Sequence, residues 1–465
     1  MTQTFRTVSP IDGQVLVERP FPSTQQIEAA LVSARRAFPL WRSTPLSERL
    51  ELLQRMTAYL EANKAELARE VTLQMGRPLS QTPWEIDGYV QRAKAMLQLA
   101  PSALADIDLP DKPGFTRRLQ RVPLGVVLSL APWNYPWLTA VNAIVPALAA
   151  GNVCVLKHSD QTPLVAERLV EAAEAAGLPP GVFQALHCSH LQVAELARDP
   201  RVDFVTFTGS VDGGRAVHSA LGGTFKSVGL ELGGKDPVYV RHDADLEHAI
   251  PNLVEGVCFN SGQSCCGTER IYVHESHFST FVDGFTEVMK AYKLGDPTQP
   301  ETNLGPMVRT RNADYVRAQV AAAVAAGAKA LISEDHFPAA SPGTPYLAPQ
   351  VLIDVDHSMD LMSEETFGPV VGIMSVAGDA EALRLMNDSR YGLTAAIWTA
   401  DSVAASALAE ELETGTVFMN RCDYLDPDLA WVGVKDSGRG CTLSRVGFEC
   451  LTRPKSHHFR LSTQG

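Results

Sequence analysis

The sequence lacks the marks of a disulfide scaffold, a membrane protein or a nucleic-acid binder. Its 465 residues include eight cysteines and no Cys-x-x-Cys pair, which excludes a disulfide framework and points to a reducing, cytoplasmic compartment. Forty Lys and Arg against 53 Asp and Glu give a net charge of −13, so no global field draws in nucleic acid or an anionic membrane. The most apolar stretch, Thr139 to Leu156, is broken by Asn142, Pro146, Gly151 and Asn152. It reads as a buried helix, turn and strand, and no membrane span is expected. The first residues lack the basic opening and apolar run of a signal peptide, so none is expected. No Gly-x-Gly-x-x-Gly occurs, so the usual dinucleotide fingerprint is missing.

What is present is ordinary globular material: 45% hydrophobic and 20% charged residues, with 34 glycines and 30 prolines. At roughly 150 residues per domain, the length predicts about three units. The first hundred residues read as helices, Thr24–Phe38 and Pro45–Met75, with little obvious chemistry. Residues 115–130 turn to period-two, β-branched character, predicting a polar-faced hairpin that leads into a buried strand. Strand and helix then alternate from Leu124 to Leu221, and again from about Pro237 to Asn420. This alternation predicts an α/β protein with two doubly wound, Rossmann-like lobes and a crevice between them. The tail Arg445–Arg460 reads as a strand in want of a partner.

Four segments carry candidate chemistry. Phe259-Asn260-Ser261-Gly262-Gln263-Ser264-Cys265-Cys266 places a thiol on a Gly-rich loop, where small polar residues make poor core. Adjacent cysteines suit one tetrahedral metal badly, and His187, Cys188 and His190 show no acidic partner in sequence, so no metal is expected. Gly229 to Lys235 resembles a phosphate-binding loop, but Asp236 stands where that motif needs a hydroxyl. Within it Glu231, between two leucines at the end of an apolar strand, is a candidate general base with a raised pKa. Gly209 and Ser210 lie where a strand turns into a helix, open to a phosphate at the helix N-terminus. Asn134, in Pro132-Trp133-Asn134-Tyr135-Pro136, follows a buried strand and is either an oxyanion donor or a cap for the next helix.

In this order the segments resemble the aldehyde dehydrogenase superfamily over essentially the whole chain. The resemblance rests on PWNYP at 132–136, LKHSD at 156–160, FTGS at 207–210, LELGGKDP at 230–237 and FNSGQSC at 259–265, with EETFGPV at 364–370 and KDSGRG at 435–440. It implies Cys265 as nucleophile, Asn134 with the Cys265 N–H as oxyanion hole, and Glu231 as the base that activates hydrolytic water. It implies NAD or NADP held by Trp133, Lys157, Asp160, Gly209, Ser210, Glu365 and Phe367. Tyr135, Trp137, Leu425 and Trp431 would line the aldehyde tunnel, and this aromatic lining slightly favours an apolar aldehyde. Arg421 is available either to Asp423 or to the carboxylate of a semialdehyde.

The family architecture further implies a cofactor domain from 1–107 and 123–231, and a catalytic domain at 232–442. A flap from 108–122, read as a hairpin, and 443–465 would join subunits into a homodimer or homotetramer. The sequence departs from the family pattern at Asp160, where many members have Glu, at Ala143, often Lys, and in the segment after Gly438, which lacks the Glu that commonly follows Gly-Arg. The shorter Asp160 leaves both NAD and NADP open. Two alternatives remain: a dehydrogenase that passes the acyl group to coenzyme A, against which Glu231 argues, and a catalytically silent binding relative.

Overall fold

A computed structural model describes residues 3–461; the expected lobe and flap segments that reach 1–2 and 462–465 lie outside the described residues there. Strands β1 (Thr4–Val8) and β2 (Val15–Pro20) form a hairpin ahead of helices α1 (Thr24–Ser43), α2 (Leu46–Ala62), α3 (Lys64–Met75) and α4 (Thr82–Ala103). Next come β3 (Phe115–Pro123), β4 (Val126–Ala131), α5 (Pro136–Ala149), β5 (Val153–His158) and α6 (Pro163–Ala176). They are followed by β6 (Phe183–Ala185), α7 (His190–Arg198), β7 (Phe204–Thr208), α8 (Val211–Ala220) and β8 (Ser227–Glu231). The second half opens with β9 (Asp236–Val240), α9 (Leu246–Cys258), β10 (Thr268–His274), α10 (Phe278–Lys290) and α11 (Thr310–Ala325). It continues through β11 (Lys329–Ala330), β12 (Gln350–Ile353), α12 (Asp360–Ser363), β13 (Val370–Val376) and α13 (Asp379–Asn387). Strands β14 (Tyr391–Gly392) and β15 (Thr394–Trp398), α14 (Ser402–Glu411), and β16 (Thr416–Met419) complete that half. The chain ends with β17 (Val434–Lys435), β18 (Gly438–Arg439) and β19 (Thr452–Arg460).

Two sheets organise these elements. The first runs β18-β8-β7-β4-β5-β6, parallel except for β18. The second runs β11-β12-β13-β10-β9-β15-β16, parallel except for β11. Every residue of β4 and β5 is buried, as a strand covered by helices on both faces requires. Pro163 opens α6 and Gly177, at φ +83°, closes it, because proline needs no N–H at a helix start and glycine tolerates the left-handed stop. The α/β class and the paired lobes match the expectation.

Three expectations need correction. The run Pro45–Met75 is two helices, since Asn63 breaks it and turns its amide back onto the Tyr59 carbonyl at 2.8 Å. Helix α1 continues past Phe38 through Pro39 to Ser43, and the Trp41 indole inside that extension donates to the Leu148 carbonyl at 3.0 Å. No hairpin forms over 115–130: β3 pairs along its whole length with the tail strand β19, Phe115 opposite Arg460 and Pro123 opposite Thr452, although the chain does turn back over 108–118, where Ile107 bridges Leu119 antiparallel and donates to its carbonyl at 2.9 Å. The unpaired tail thus has its partner within the chain, and the result is a two-stranded ribbon whose outer β3 edge takes the single Ile107 bridge at Leu119.

The C-terminal segment also returns to the first sheet, where Gly438 of β18 lies opposite Glu231 of β8. Gly438 has φ +134°, and a Cβ there would come within 2.0 Å of the Leu230 carbonyl oxygen. Gly438→Ala should therefore destabilise the fold by more than the about 1–3 kcal/mol of a strained backbone residue alone, read as a lowered urea midpoint.

Candidate active site

A buried ion pair builds the floor of the site. Arg77 follows the left-handed Gly76 that ends α3, and its Nη1 lies 2.5 Å from the Glu85 carboxylate on α4, with neither side chain exposed. The rest of the guanidinium organises the neighbours: Nε donates to Asn260 Oδ1 at 2.9 Å, Nη2 donates to the Asn134 carbonyl, and the group lies 4.4 Å from the Tyr135 ring centre. Glu85 accepts the N–H groups of Trp137 and Leu138, so it caps α5 from another helix. Burial pushes the Glu85 carboxyl up, and Arg77 opposes that shift. The first hundred residues, expected to hold little chemistry, supply this pair. The signal was an acid and a base at a helix end, inside apolar surroundings.

Asn134 is not a helix cap, since Tyr135 occupies that position without a capping bond of its own and the first N–H groups of α5 go to Glu85. Its amide donates to the Gln263 carbonyl at 3.2 Å, which ties PWNYP to the cysteine loop. That loop begins after α9, with Asn260 and Ser261 at φ +53° and +56°. Asn260 Nδ2 donates to the carbonyls of Asn134 and Gln263, Ser261 Oγ to Gly305, and Gln263 accepts from Val308 N–H at 2.8 Å. Gly262 touches Gly368, leaving no room for a Cβ. The polar residues before Cys265 thus hold the loop, and Cys265 itself stays half-exposed.

Cys266 is buried and donates to Asp423 Oδ1 at 2.9 Å, beside Ser264 Oγ at 3.2 Å. Its thiol is pushed well up by the hydrogen bond with Cys265, by burial and by the Asp423 charge. Asp423 therefore serves the cysteine loop, and Arg421 instead stacks 3.8 Å from the Tyr424 ring centre. Glu231 ends β8, where Thr208 Oγ1 donates to one carboxylate oxygen at 3.1 Å and Thr442 Oγ1 donates to the other. Burial raises its pKa and the two hydroxyls oppose the rise. Thr442 was missed in the sequence; it stands in the segment after Gly440.

Lys235 is no phosphate ligand. It is buried, 2.7 Å from Glu269, and donates to Thr366 Oγ1 at 2.9 Å. Glu269 in turn accepts the N–H groups of Thr366 and Phe367, both at 2.8 Å, which fixes the EETFGPV loop. Glu365 accepts from Gly234 N–H at 3.1 Å, and burial with the Glu269 charge raises its pKa to about 8.

Two cavities meet at these groups. One, of about 740 Å³, is lined by Tyr135, Leu425, Trp431, Arg92 and Arg421 among others. The other, of about 550 Å³, is lined by Trp133, Asn134, Gly209, Ser210, Glu365 and Phe367. Cys265, Glu231, Thr139, Thr208 and Leu232 line both. Trp137 is a correction: it lines neither, because it is buried in the first turn of α5 with its ring edge-on to Tyr89 at 5.8 Å. Lys157 and Asp160 also lie outside both linings, paired at 3.0 Å at the carboxyl edge of β5.

The second cavity suits a dinucleotide. Ser210 caps the ten-residue α8 through Gly213 N–H, so the free N–H groups of that helix start face a cavity lined by Gly209 and Ser210, a setting for a pyrophosphate. Trp133 and Phe367 meet edge to face at 5.7 Å on its wall. Among the described residues no cluster of three or more metal-ligating side chains occurs, and no helix is long and apolar enough to cross a membrane. His187 does have an acidic partner, Glu167 at 3.0 Å, in a group that includes Arg19.

Removing one half of the buried pair should be costly. Glu85→Ala leaves Arg77 uncompensated and is expected to destabilise by about 3–5 kcal/mol, measured by urea unfolding.

The family model described as the aldehyde dehydrogenase family matches residues 1–457. A protein of Mycobacterium avium named succinate-semialdehyde dehydrogenase, NADP(+), is 36% identical over 97% of this chain and 95% of its own. An Escherichia coli protein named succinate semialdehyde dehydrogenase, NAD(P)+, is 36% identical over 95% of each chain. The solved succinic semialdehyde dehydrogenase of Streptococcus pyogenes with NADP+ superposes with a TM-score of 0.94, at 28% identity over 98% of this chain and all of that one. With two parallel-mixed sheets meeting at a thiol loop, and matches that run nearly from end to end, the chain belongs to the aldehyde dehydrogenase family as an NAD(P)-dependent enzyme.

Proposed function

We propose that the protein oxidises an aldehyde to its carboxylic acid through a covalent intermediate on Cys265. The observation that carries this reading is the position of Cys265 and Glu231 on the wall shared by the two cavities. An aldehyde entering from the larger cavity meets the sulfur, and the addition product is a hemithioacetal whose oxyanion Asn134 Nδ2 and the Cys265 N–H would stabilise. NAD(P)+ bound in the smaller cavity supplies the hydride acceptor. Loss of hydride from the hemithioacetal carbon leaves a thioester on Cys265. Glu231 then takes a proton from water, the water attacks the thioester, and the acid departs with the thiol restored. Thr208 and Thr442 hold the Glu231 carboxylate for that step.

The presence of Glu231 beside the thiol favours hydrolysis over transfer to coenzyme A. The division of labour follows the sheets: the first holds the dinucleotide, the second carries the cysteine loop, and the β3–β19 ribbon joins subunits through its β19 edge as a homodimer or tetramer. Lys157 and Asp160 retain a proposed place near the adenosine ribose, at the carboxyl edge of the sheet. For the substrate, the mycobacterial, Escherichia and Streptococcus relatives are named for a semialdehyde, and both lining arginines lack an acidic partner among the described residues. These features move the preference from an apolar aldehyde to one that ends in a carboxylate.

Cys265→Ala should abolish aldehyde-dependent NAD(P)H formation, and full activity in that variant overturns the mechanism. Asn134→Ala should lower kcat on the order of 10²–10³-fold, the usual effect of deleting one oxyanion donor. Glu231→Gln should form one equivalent of NAD(P)H and then stall. Because burial raises the Glu231 pKa, its basic form is lost at a higher pH than that of a free glutamate. Turnover limited by hydrolysis should accordingly fall as pH decreases, and the acid limb should vanish in the single-turnover burst. Light scattering that showed a stable monomer would remove the role given to the ribbon.

A further inference from the structure

We propose that Arg92 is the anchor for the substrate's carboxylate, so that it selects aldehydes carrying a second, anionic end. The inference rests on the aldehyde-oxidising reading and adds the residue that sets specificity. Arg92 projects from α4 into the wall of the larger cavity and is 7% exposed. Its Nη1 donates to the Leu138 carbonyl at 2.9 Å and to Asn142 Oδ1 at 3.2 Å. These contacts fix the plane of the guanidinium against α5, while Nε and Nη2 have no protein acceptor among the described residues.

Other buried arginines are satisfied differently. Arg77 meets Glu85 and Arg241 meets Asp379, whereas Arg270 spreads Nε, Nη1 and Nη2 over Lys235, Tyr272 and the backbone carbonyls of α13. No carboxylate bonds to Arg92 directly; Glu231, Glu85 and Asp423 act on it only through space, which offsets part of its desolvation, and burial still lowers its pKa. The free N–H groups of Arg92 are not among the enclosed, unpaired polar atoms. They remain open to the cavity, in the fork geometry that takes a carboxylate by two parallel hydrogen bonds.

Arg421 is the competing anchor and is less suited. It is exposed and already stacked on Tyr424, so water and salt screen its charge. Arg92 acts from a low-dielectric wall, where the same charge is felt more strongly. The cavity's aromatic surface, from Trp84 to Trp431, then contacts the short methylene chain between the aldehyde and the carboxylate.

The test compares succinate semialdehyde with butanal, which has the same length and no charge, by NAD(P)H formation in the purified full chain. Arg92→Met should reduce kcat/KM for the semialdehyde on the order of 10²-fold more than for butanal, mainly through KM, as expected when a buried charge partner is removed. Arg92→Lys, which keeps the charge and loses the fork, should fall between. In the unaltered protein succinate should compete with the semialdehyde, a measurement that stands even if Arg92→Met does not fold. Equal losses for both aldehydes, or no competition by succinate, overturn the proposal. If butanal is oxidised through Cys265 with no preference for the semialdehyde, this inference alone fails; if neither aldehyde is oxidised, the aldehyde-oxidising reading fails with it.

Discussion

Arg77 and Glu85, 2.5 Å apart and wholly withdrawn from solvent, are the contact on which the site's geometry depends. A pair of this kind gives little net stability, because the desolvation of both charges nearly cancels their attraction. Its value lies in direction. Once buried, the guanidinium must satisfy its remaining N–H groups, and the acceptors it finds are the Asn134 carbonyl and the Asn260 side chain. Glu85 must satisfy its own oxygens, and it finds the start of α5. Asn134, the thiol loop and the helix that backs both cavities are therefore registered against a single rigid group.

The same logic recurs on the cofactor side. Lys235 and Glu269 form a second buried pair, and Glu269 receives two backbone N–H groups from the loop that carries Glu365 and Phe367. The contact between Gly262 and Gly368 closes the circuit, joining that loop to the thiol loop through backbone alone. Each reacting surface is thus a loop, as ligand access demands, but each loop is pinned by charges that cannot reach water. Close approach also accounts for Gly234: a Cβ there would come within 2.4 Å of the Cys265 carbonyl oxygen.

Much of this architecture is legible in the sequence wherever the deciding contacts are local. Strands β4 and β5 are readable because burial on both faces demands continuous apolar runs, and α6 because Pro163 and Gly177 bracket it. Cys265, Glu231 and Asn134 stand out because each is a reactive or polar group in an unsuitable local setting. Thr442 does not, since its partner Glu231 lies 211 residues away, and Arg77 shows locally only its pairing with Glu85, while its link to Asn260 spans 183 residues. Trp137 misled for the opposite reason: its neighbours Asn134 and Tyr135 face cavities, and one helical start turned its indole inward. The hairpin expected over 115–130 failed because alternation reveals that a strand has two unlike faces, and says nothing of which strand lies beside it.

The antiparallel meeting of β18 with β8, and of β19 with β3, has a consequence for the order of events during synthesis. Glu231 is translated near the middle of the chain, but one of its two hydroxyl donors, Thr442, and the strand beside it, Gly438–Arg439, arrive some two hundred residues later. A nascent chain can complete the parallel core of the first sheet from β4 to β8 on the ribosome. Glu231 then waits half-clamped at an open sheet edge, and its second hydroxyl partner becomes available only once the last tenth of the polypeptide has emerged and folded back.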